Sequence, residues 1–378
     1  MNFLIYDEMF FASAQECNDP CEGTFFAIFN RNIDYWERFI DISVGKNFAD
    51  KNRDLIKTVA HYFTEHSPMY TNEFLSMNHE ELVMSFIPRL KSPYDCQALL
   101  NIITSMIRSL KIYLPVEHYF VSFSKSNDNF LMWSHYANKH QGYCLIFRPM
   151  NNKIYRSKRS TRKGFNYSTP NSFAPKMSFT LPDKFELKNV EYIAKPKPLN
   201  AFMCLTEYVC GSDYSEEGKQ NFRASFDKAY LIKDPVWDYE KEVRILIDVG
   251  MQWLARQELK LSQHQRLLHY ESTQLVGIIL GARMSQELKD RIRSIIIEKV
   301  ANWFFDIPQN EKIISDFVIF EEKISHTDRS IIVNPIEIIG GSSTIKSTEV
   351  TFKKRYDDWE NGYLLKLSKN SGESIKVD

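Results

Sequence analysis

Tyr119–Phe147, YFVSFSKSNDNFLMWSHYANKHQGYCLIF, changes its hydrophobic period twice. His118 to Ser124 alternates and is rich in β-formers, so it reads as a strand. Ser126-Asn127-Asp128-Asn129 supplies turn and N-cap residues. Phe130 to His140 suits a short helix, with Gly142 just past its end. Tyr143 to Phe147 reads as a second strand. Strand, turn, short helix and strand in succession, beside a long helical region, predict an α+β fold.

Working outward, Tyr35 to Leu110 carries apolar residues every three or four positions, in DLIKTVAHYF, EELVMSFIPRL and CQALLNIITSMIRSL. That is the helical period, broken by Pro68, Pro88 and Pro93. Before it, Glu8 to Ser13 reads as a strand, and Asn18-Asp19-Pro20 as a turn. On the other side, Asn151 to Phe173 reads as an exposed loop bearing Lys153, Arg156, Lys158, Arg159, Arg162 and Lys163. Asn189 to Ile193 and Glu242 to Val249 read as strands, the latter entered through Trp237-Asp238-Tyr239. Ala201 to Tyr208 and Gly218 to Tyr230 read as helices. Leu275 to Leu280 is an apolar strand, followed by a helix from Ser285 whose SQEL opening fits a capping box. VIFEEKI and IIVNPIEII add strands before Gly340-Gly341, and the polar end of the chain reads as loose. The expected architecture is a central mixed β-sheet in a domain over residues 1–312, with a helical insertion at about 35–110. A small β-rich C-terminal extension follows at 313–378.

Composition excludes more than it selects. The 378 residues are 43% hydrophobic and 25% charged, as in a globular protein, with 27 Phe, 19 Tyr and 6 Trp to fill a core. Lys plus Arg, at 48, equals Asp plus Glu, so net charge selects neither nucleic acid nor membrane as partner. No run reaches the roughly 18 apolar residues of a membrane span, and Met1 to Phe11 does not read as a signal peptide. A cytoplasmic setting with reduced thiols follows. Cys17 and Cys21 form a C-x3-C without a second pair, so no metal site is expected. Neither a G-x-x-x-x-G-K-[ST] loop, a G-x-G-x-x-G, an H-E-x-x-H nor a G-x-S-x-G is present.

Three constellations carry possible chemistry. On the first strand Ser122 and Ser124 share a face. On the helix Met132, His135 and Tyr136 fall on one side, flanked by Trp133. Hydroxyls, an imidazole and amphipathic aromatics suit a pocket for a flat polar ligand; the alternative is a packed helix face with an inert His135. In the second, Glu240, Glu242 and Arg244 share one strand face beside Trp237. There Arg244 neutralises one carboxylate and holds another, or the three form a surface ion-pair ladder. The third is the basic loop, either a phosphate contact or a solvated segment.

Four segments resemble, in order and spacing, a bacterial family catalogued as domain of unknown function 2971. They are FFASAQECNDPCEG, SFSKSNDNFLMWSHYANKHQGYCLIF, KDPVWDYEKEVRI and LVGIILGARMSQELKDRI, spanning roughly residues 8 to 300. MWSHYA followed by a W-x-Y-E-x-E-x-R strand is the specific part. The chain departs from the family at its front, where members usually carry an extra Tyr-rich strand, and beyond about Ile313. The family brings no activity with it. At the level of analogy, Ser122-Phe123-Ser124 and Glu240-Lys241-Glu242 also resemble the second and third elements of ADP-ribosyltransferase NAD sites, although no first-strand residue is found.

That analogy implies an NAD-consuming, ADP-ribosyltransferase-like effector, in antiviral defence or as a toxin. Glu242 would be the catalytic carboxylate, Glu240 would orient the acceptor and His135 would complete the catalytic set. Ser122 and Ser124 would position NAD, Trp133 and Tyr136 would stack on it, and Arg244 would hold the carboxylates. A non-enzymatic sensor of a nucleotide or phage protein stays open, as does a nucleic-acid-processing protein using the basic loop. The expected ligand is nucleotide-like, with a protein or nucleic acid as a possible target.

Overall fold

A computed structural model describes residues 2–24, 26–90, 92, 95–113, 118–157, 164–167, 177–247, 261–306, 313–314, 316–340, 343–361, 363–368 and 371–376. Helices and mixed and antiparallel sheets alternate through them, as an α+β fold requires. Two sheets are the largest among the described residues, beside several of two or three strands. One is antiparallel, in the order Lys188–Asn189, Glu242–Ile247, Tyr119–Ser124, Ala12–Ser13. Its register sets Glu242 opposite Ser124 and Arg244 opposite Ser122. The other runs Thr344–Lys346, Ser330–Ile339, Phe317–Ser325, Leu275–Leu280, Tyr143–Phe147, with the Leu275 and Phe317 strands parallel. The segment beyond Asp316 thus continues the same sheet as Leu275–Leu280, and its helix Phe352–Glu360 caps one face through Phe352 and Trp359.

The helical region forms as its period demands. Ile33–Val44, Arg53–His66 and Asp95–Tyr113 bury one stripe each in a core around Trp36, Phe39, Phe63 and Leu110. Phe202, Leu205 and Val209, from beyond the expected insertion, complete it. Edge contacts such as Phe29 against Phe202, 4.9 Å between centroids, add to the burial. A second core lies between the two sheets, with Tyr119, Val121, Ile245, Ile278 and Ile296.

Three local differences from the expectations have physical causes. The N-terminal strand breaks at Phe11, because Glu8–Phe10 pairs with Leu267–His269 while Ala12–Ser13 pairs with Tyr119 and Phe120. The short helix ends at Tyr136, not His140, since Asn138, Lys139 and His140 all take left-handed backbone. The chain end, read as loose, pairs as Tyr363–Ser368 against Ser371–Lys376.

That left-handed turn lies on Gly281. A Cβ on Gly281 would stand 2.3 Å from the His140 carbonyl oxygen and 2.6 Å from that of Gly142. Backbone atoms do not yield, so Gly281→Ala is expected to cost about 3 kcal/mol of stability. A shift in urea midpoint at unchanged slope measures it.

Candidate functional site

The turn at Asn18-Asp19-Pro20 forms because the Asp19 carboxylate accepts from the Cys21 N–H at 2.9 Å. It delivers Glu22 to the first sheet, where Arg244 is fully buried. All five N–H groups of that guanidinium are engaged. Nε and Nη2 donate to Glu242 at 2.7 and 2.8 Å, Nη1 and Nη2 to Glu22 at 2.6 and 2.8 Å, and Nη1 to the Tyr230 carbonyl at 2.7 Å. The Phe120 ring lies 4.2 Å below it.

Lys233 is the second cation. Its Nζ donates to Glu240 at 2.6 Å and Glu242 at 3.1 Å, lies 3.8 Å from Glu22, and sits 5.0 Å over the Trp237 ring. Glu240 ends the short helix Pro235–Glu240, and the left-handed Lys241 turns the chain into the strand. The kink lets Glu240 and Glu242, 3% and 5% exposed, reach the same lysine. The Ser124 hydroxyl fixes it by donating to the Glu240 carbonyl at 2.7 Å. The Tyr136 hydroxyl donates to the Glu240 carboxylate at 2.7 Å and accepts from Asn18 at 3.3 Å. The Glu242 N–H donates to the Tyr192 oxygen at 2.8 Å. Three buried carboxylates thus meet two cations, leaving one negative charge over.

This cluster borders a cavity of about 1620 Å³. Typical small-molecule sites measure roughly 300–1,000 Å³, so this cavity exceeds the usual range of a small-ligand site. Ser122, Ser124, Tyr136, Glu240, Glu242 and Arg244 all line it. Two sequence candidates do not. Trp133 turns to the opposite helix face, packs with Ala137 and Val276, and donates its Nε1–H to the Asn127 carbonyl at 2.8 Å. His135 points to solvent. The i, i+4 pair Met132 and Tyr136 faces the cavity, and i, i+3 His135 has rotated away from it.

Glu22, Lys233, Asn18 and Cys17 were not among the sequence candidates, yet they line the same cavity. Of the basic loop, Lys153 lies in a strand, and Arg156 is buried and paired with Asp183 at 3.0 Å. Lys158, Arg159, Arg162 and Lys163 lie outside the described residues.

The electrostatics restrict the chemistry. Burial alone would raise the Glu242 carboxyl, but the hydrogen bonds and charge of Arg244, with Lys233, outweigh it and hold it below the usual range. It is therefore ionised at neutral pH and unfit as a general acid. Burial of Lys233 opposes its charge, yet Glu242 and Glu240 raise its pKa, so it stays protonated. Burial, then the Glu240 carboxylate, raise the Tyr136 phenol. Burial pushes the Cys17 thiol up to about 11, which removes it as a thiolate nucleophile. Among the described residues no group of three or more His, Cys, Asp or Glu is placed to hold a metal ion, and no helix is long and apolar enough to cross a membrane.

Acid pH tests these pairings. The Arg266 guanidinium lowers the Glu16 carboxyl from 4.5 to about 2. Glu242 is lowered likewise. Groups with depressed folded pKa values stabilise fully above the unfolded value and lose that contribution as pH falls through the folded one. The urea midpoint is expected to fall between pH 4.5 and about 2, and Glu16→Gln to remove part of that slope.

The segment that joins the short helix to the Arg244 strand is where a known family is met. Residues 132–245 match the family described as protein of unknown function (DUF2971). The match takes in Tyr136, Lys233, Glu240, Glu242 and Arg244 and leaves out Glu22, Ser122 and Ser124, so the DUF2971 segment supplies one side of the cluster. It is shorter than the span from about 8 to 300 over which the four segments resemble the family. No curated protein and no solved structure matches the chain.

Proposed function

We propose that the cavity binds a nucleotide that develops positive charge, and that the chain is an NAD-consuming enzyme of the ADP-ribosyltransferase-like type. The observation that supports this reading is the unbalanced charge: three buried carboxylates against two cations at the edge of the cavity. Cleaving NAD at the glycosidic bond sends nicotinamide away with the bonding pair and leaves C1′ of the ribose as an oxocarbenium ion. The oxygen of water or of an acceptor hydroxyl then forms the new bond to C1′ and releases its proton to solvent. A fixed, ionised carboxylate stabilises that cation in a site of low dielectric. Glu240 takes this role better, because its oxygens accept from the neutral Tyr136 hydroxyl and from Lys233, whereas Arg244 holds both oxygens of Glu242 and Lys233 reaches it as well. Ser122 supplies an exposed hydroxyl for the ribose, and Tyr136 a ring at the cavity wall. Placement in antiviral defence or as a toxin remains part of the same proposal.

A second reading has its own support. Every donor of Arg244 is committed and Glu242 is locked, which suits a rigid sensor that binds a nucleotide without turning it over. Chromatographic assay of nicotinamide in mixtures of chain and NAD, beside calorimetric NAD binding, separates the two. Release supports the enzyme; saturable binding without release supports the sensor; neither removes both.

A further inference from the structure

The Tyr143–Phe147 strand is the outermost of its sheet and pairs, among the described residues, only with Leu275–Leu280. Both its faces are packed: Tyr143, Leu145 and Phe147 touch the core between the sheets, and Cys144 and Ile146 the core beneath the Phe352–Glu360 helix. Yet all five residues stay half-exposed, whereas its neighbour Leu275–Leu280 is buried at every position. The exposure therefore comes from the strand's edge. The cavity lining agrees, since Gly142 to Phe147 contribute consecutively. A strand seen face-on contributes alternate residues; one seen edge-on contributes every residue.

The direction of the backbone follows from two bonds. The Gly281 N–H donates to the Gly142 carbonyl at 3.0 Å, and the Arg148 N–H to the Gln274 carbonyl at 2.8 Å. With antiparallel alternation, Gly142, Cys144, Ile146 and Arg148 turn their backbone groups toward the Leu275 strand. Tyr143, Leu145 and Phe147 turn theirs toward the cavity.

Across the cavity, among the described residues, Ala12–Ser13 covers only Tyr119 and Phe120 of the opposite strand, so Val121 to Ser124 also present an edge there. Phe123 and Phe147 meet beneath, 5.5 Å between ring centroids, as an apolar floor. Glu242 and Arg244 share the face of Ser122 and Ser124, opposite that floor.

We infer that the open edge of Tyr143–Phe147 takes an extended peptide as an added strand, one with apolar side chains alternating with Lys or Arg. Unpaired N–H and C=O groups on a strand edge are a template for strand addition, with side-chain pockets giving specificity. Here one set of peptide side chains meets the floor of Phe123, Leu145 and Phe147. The other set faces the Glu22, Glu240 and Glu242 carboxylates, whose surplus negative charge selects a cation. Lys125, at the rim, is exposed and donates to Asn189 at 2.7 Å. Strand addition stands apart from the NAD reading, because it needs the open edge and the surplus charge but no turnover.

The test is a random linear-peptide library panned on the full chain, with the selected sequence then synthesised. Enrichment of alternating apolar and basic residues is expected. Hydrogen exchange of the free chain should find the amides of Tyr143, Leu145 and Phe147 about tenfold faster than those of Cys144 and Ile146, and bound peptide should slow them. N-methylating a single inward-facing peptide amide should weaken binding about tenfold, the equivalent of one lost backbone bond. Leu145→Pro should abolish binding, while Leu145→Ala, which keeps the N–H but trims the floor, should only weaken it. No enrichment of such sequences, amides already protected in the free chain, or equal affinity of the N-methylated peptide would each overturn the inference.

Discussion

Arg244→Met is expected to cost about 3–5 kcal/mol and to leave much of the chain unfolded near 37 °C. The residue is fully buried and satisfies two carboxylates and one carbonyl, joining the Glu22 turn, the Glu242 strand and the chain at Tyr230. Its removal leaves Glu22, Glu240 and Glu242 sharing Lys233 alone, and desolvated carboxylates without partners are costly. Arg244→Lys should recover little, because an ammonium has three donors where five are used. Glu22→Gln with Arg244→Met should be less damaging than the sum of the singles, since the pair shares two hydrogen bonds. Urea unfolding of these four variants beside the unsubstituted chain reads all of this. A loss below about 1 kcal/mol for Arg244→Met, the range of an exposed pair, would mean the cluster is a solvated ladder.

Glu240→Gln is expected to act oppositely, sparing stability and removing function. The amide oxygen still accepts from Tyr136, and Lys233 keeps Glu242 at 3.1 Å. The cluster's charge goes from minus one to zero, and Lys233, though it gives up the Glu240 carboxylate, still meets Glu242 and Glu22, so no buried cation is left without an anion. Turnover through an oxocarbenium ion should fall about 10²–10³-fold, the scale of removing one preorganised electrostatic group. NAD affinity should change far less, because the charge matters most in the transition state. Loss of stability matching that of Arg244→Met would assign Glu240 to the scaffold instead.

The parts of the fold legible in the sequence are those with a clean period. Tyr119–Ser124, Tyr143–Phe147 and Leu275–Leu280 were marked by β-formers, and Arg53–His66 and Asp95–Tyr113 by a helical stripe. The end of the short helix was not, because three non-glycine residues take left-handed backbone, a choice imposed by packing against Gly281. In the sequence Glu240 and Glu242 read as strand neighbours on one face. They do reach one lysine, but through the left-handed kink at Lys241, with Glu240 outside the strand. Trp133 and Tyr136 looked equivalent as amphipathic aromatics on one helix. A helix of two turns gives its sides to different surroundings, and only the side of Met132 and Tyr136 faces the cavity. Glu22, in FFASAQECNDPCEG, pairs with Arg244 across 222 residues, which leaves no local trace. Lys233, in KDPVWDYEKEVRI, meets Glu240 and Glu242 seven and nine positions on, and does so only because the short helix Pro235–Glu240 turns the chain between them.

The most direct measurement is nicotinamide released from NAD by the purified chain, compared with the Glu240→Gln protein at matched folded fraction. Steady release by the unsubstituted chain is expected, with a loss of about 100-fold or more in the variant. No saturable NAD binding and no nicotinamide above the blank, from a chain whose cluster is intact, would contradict it.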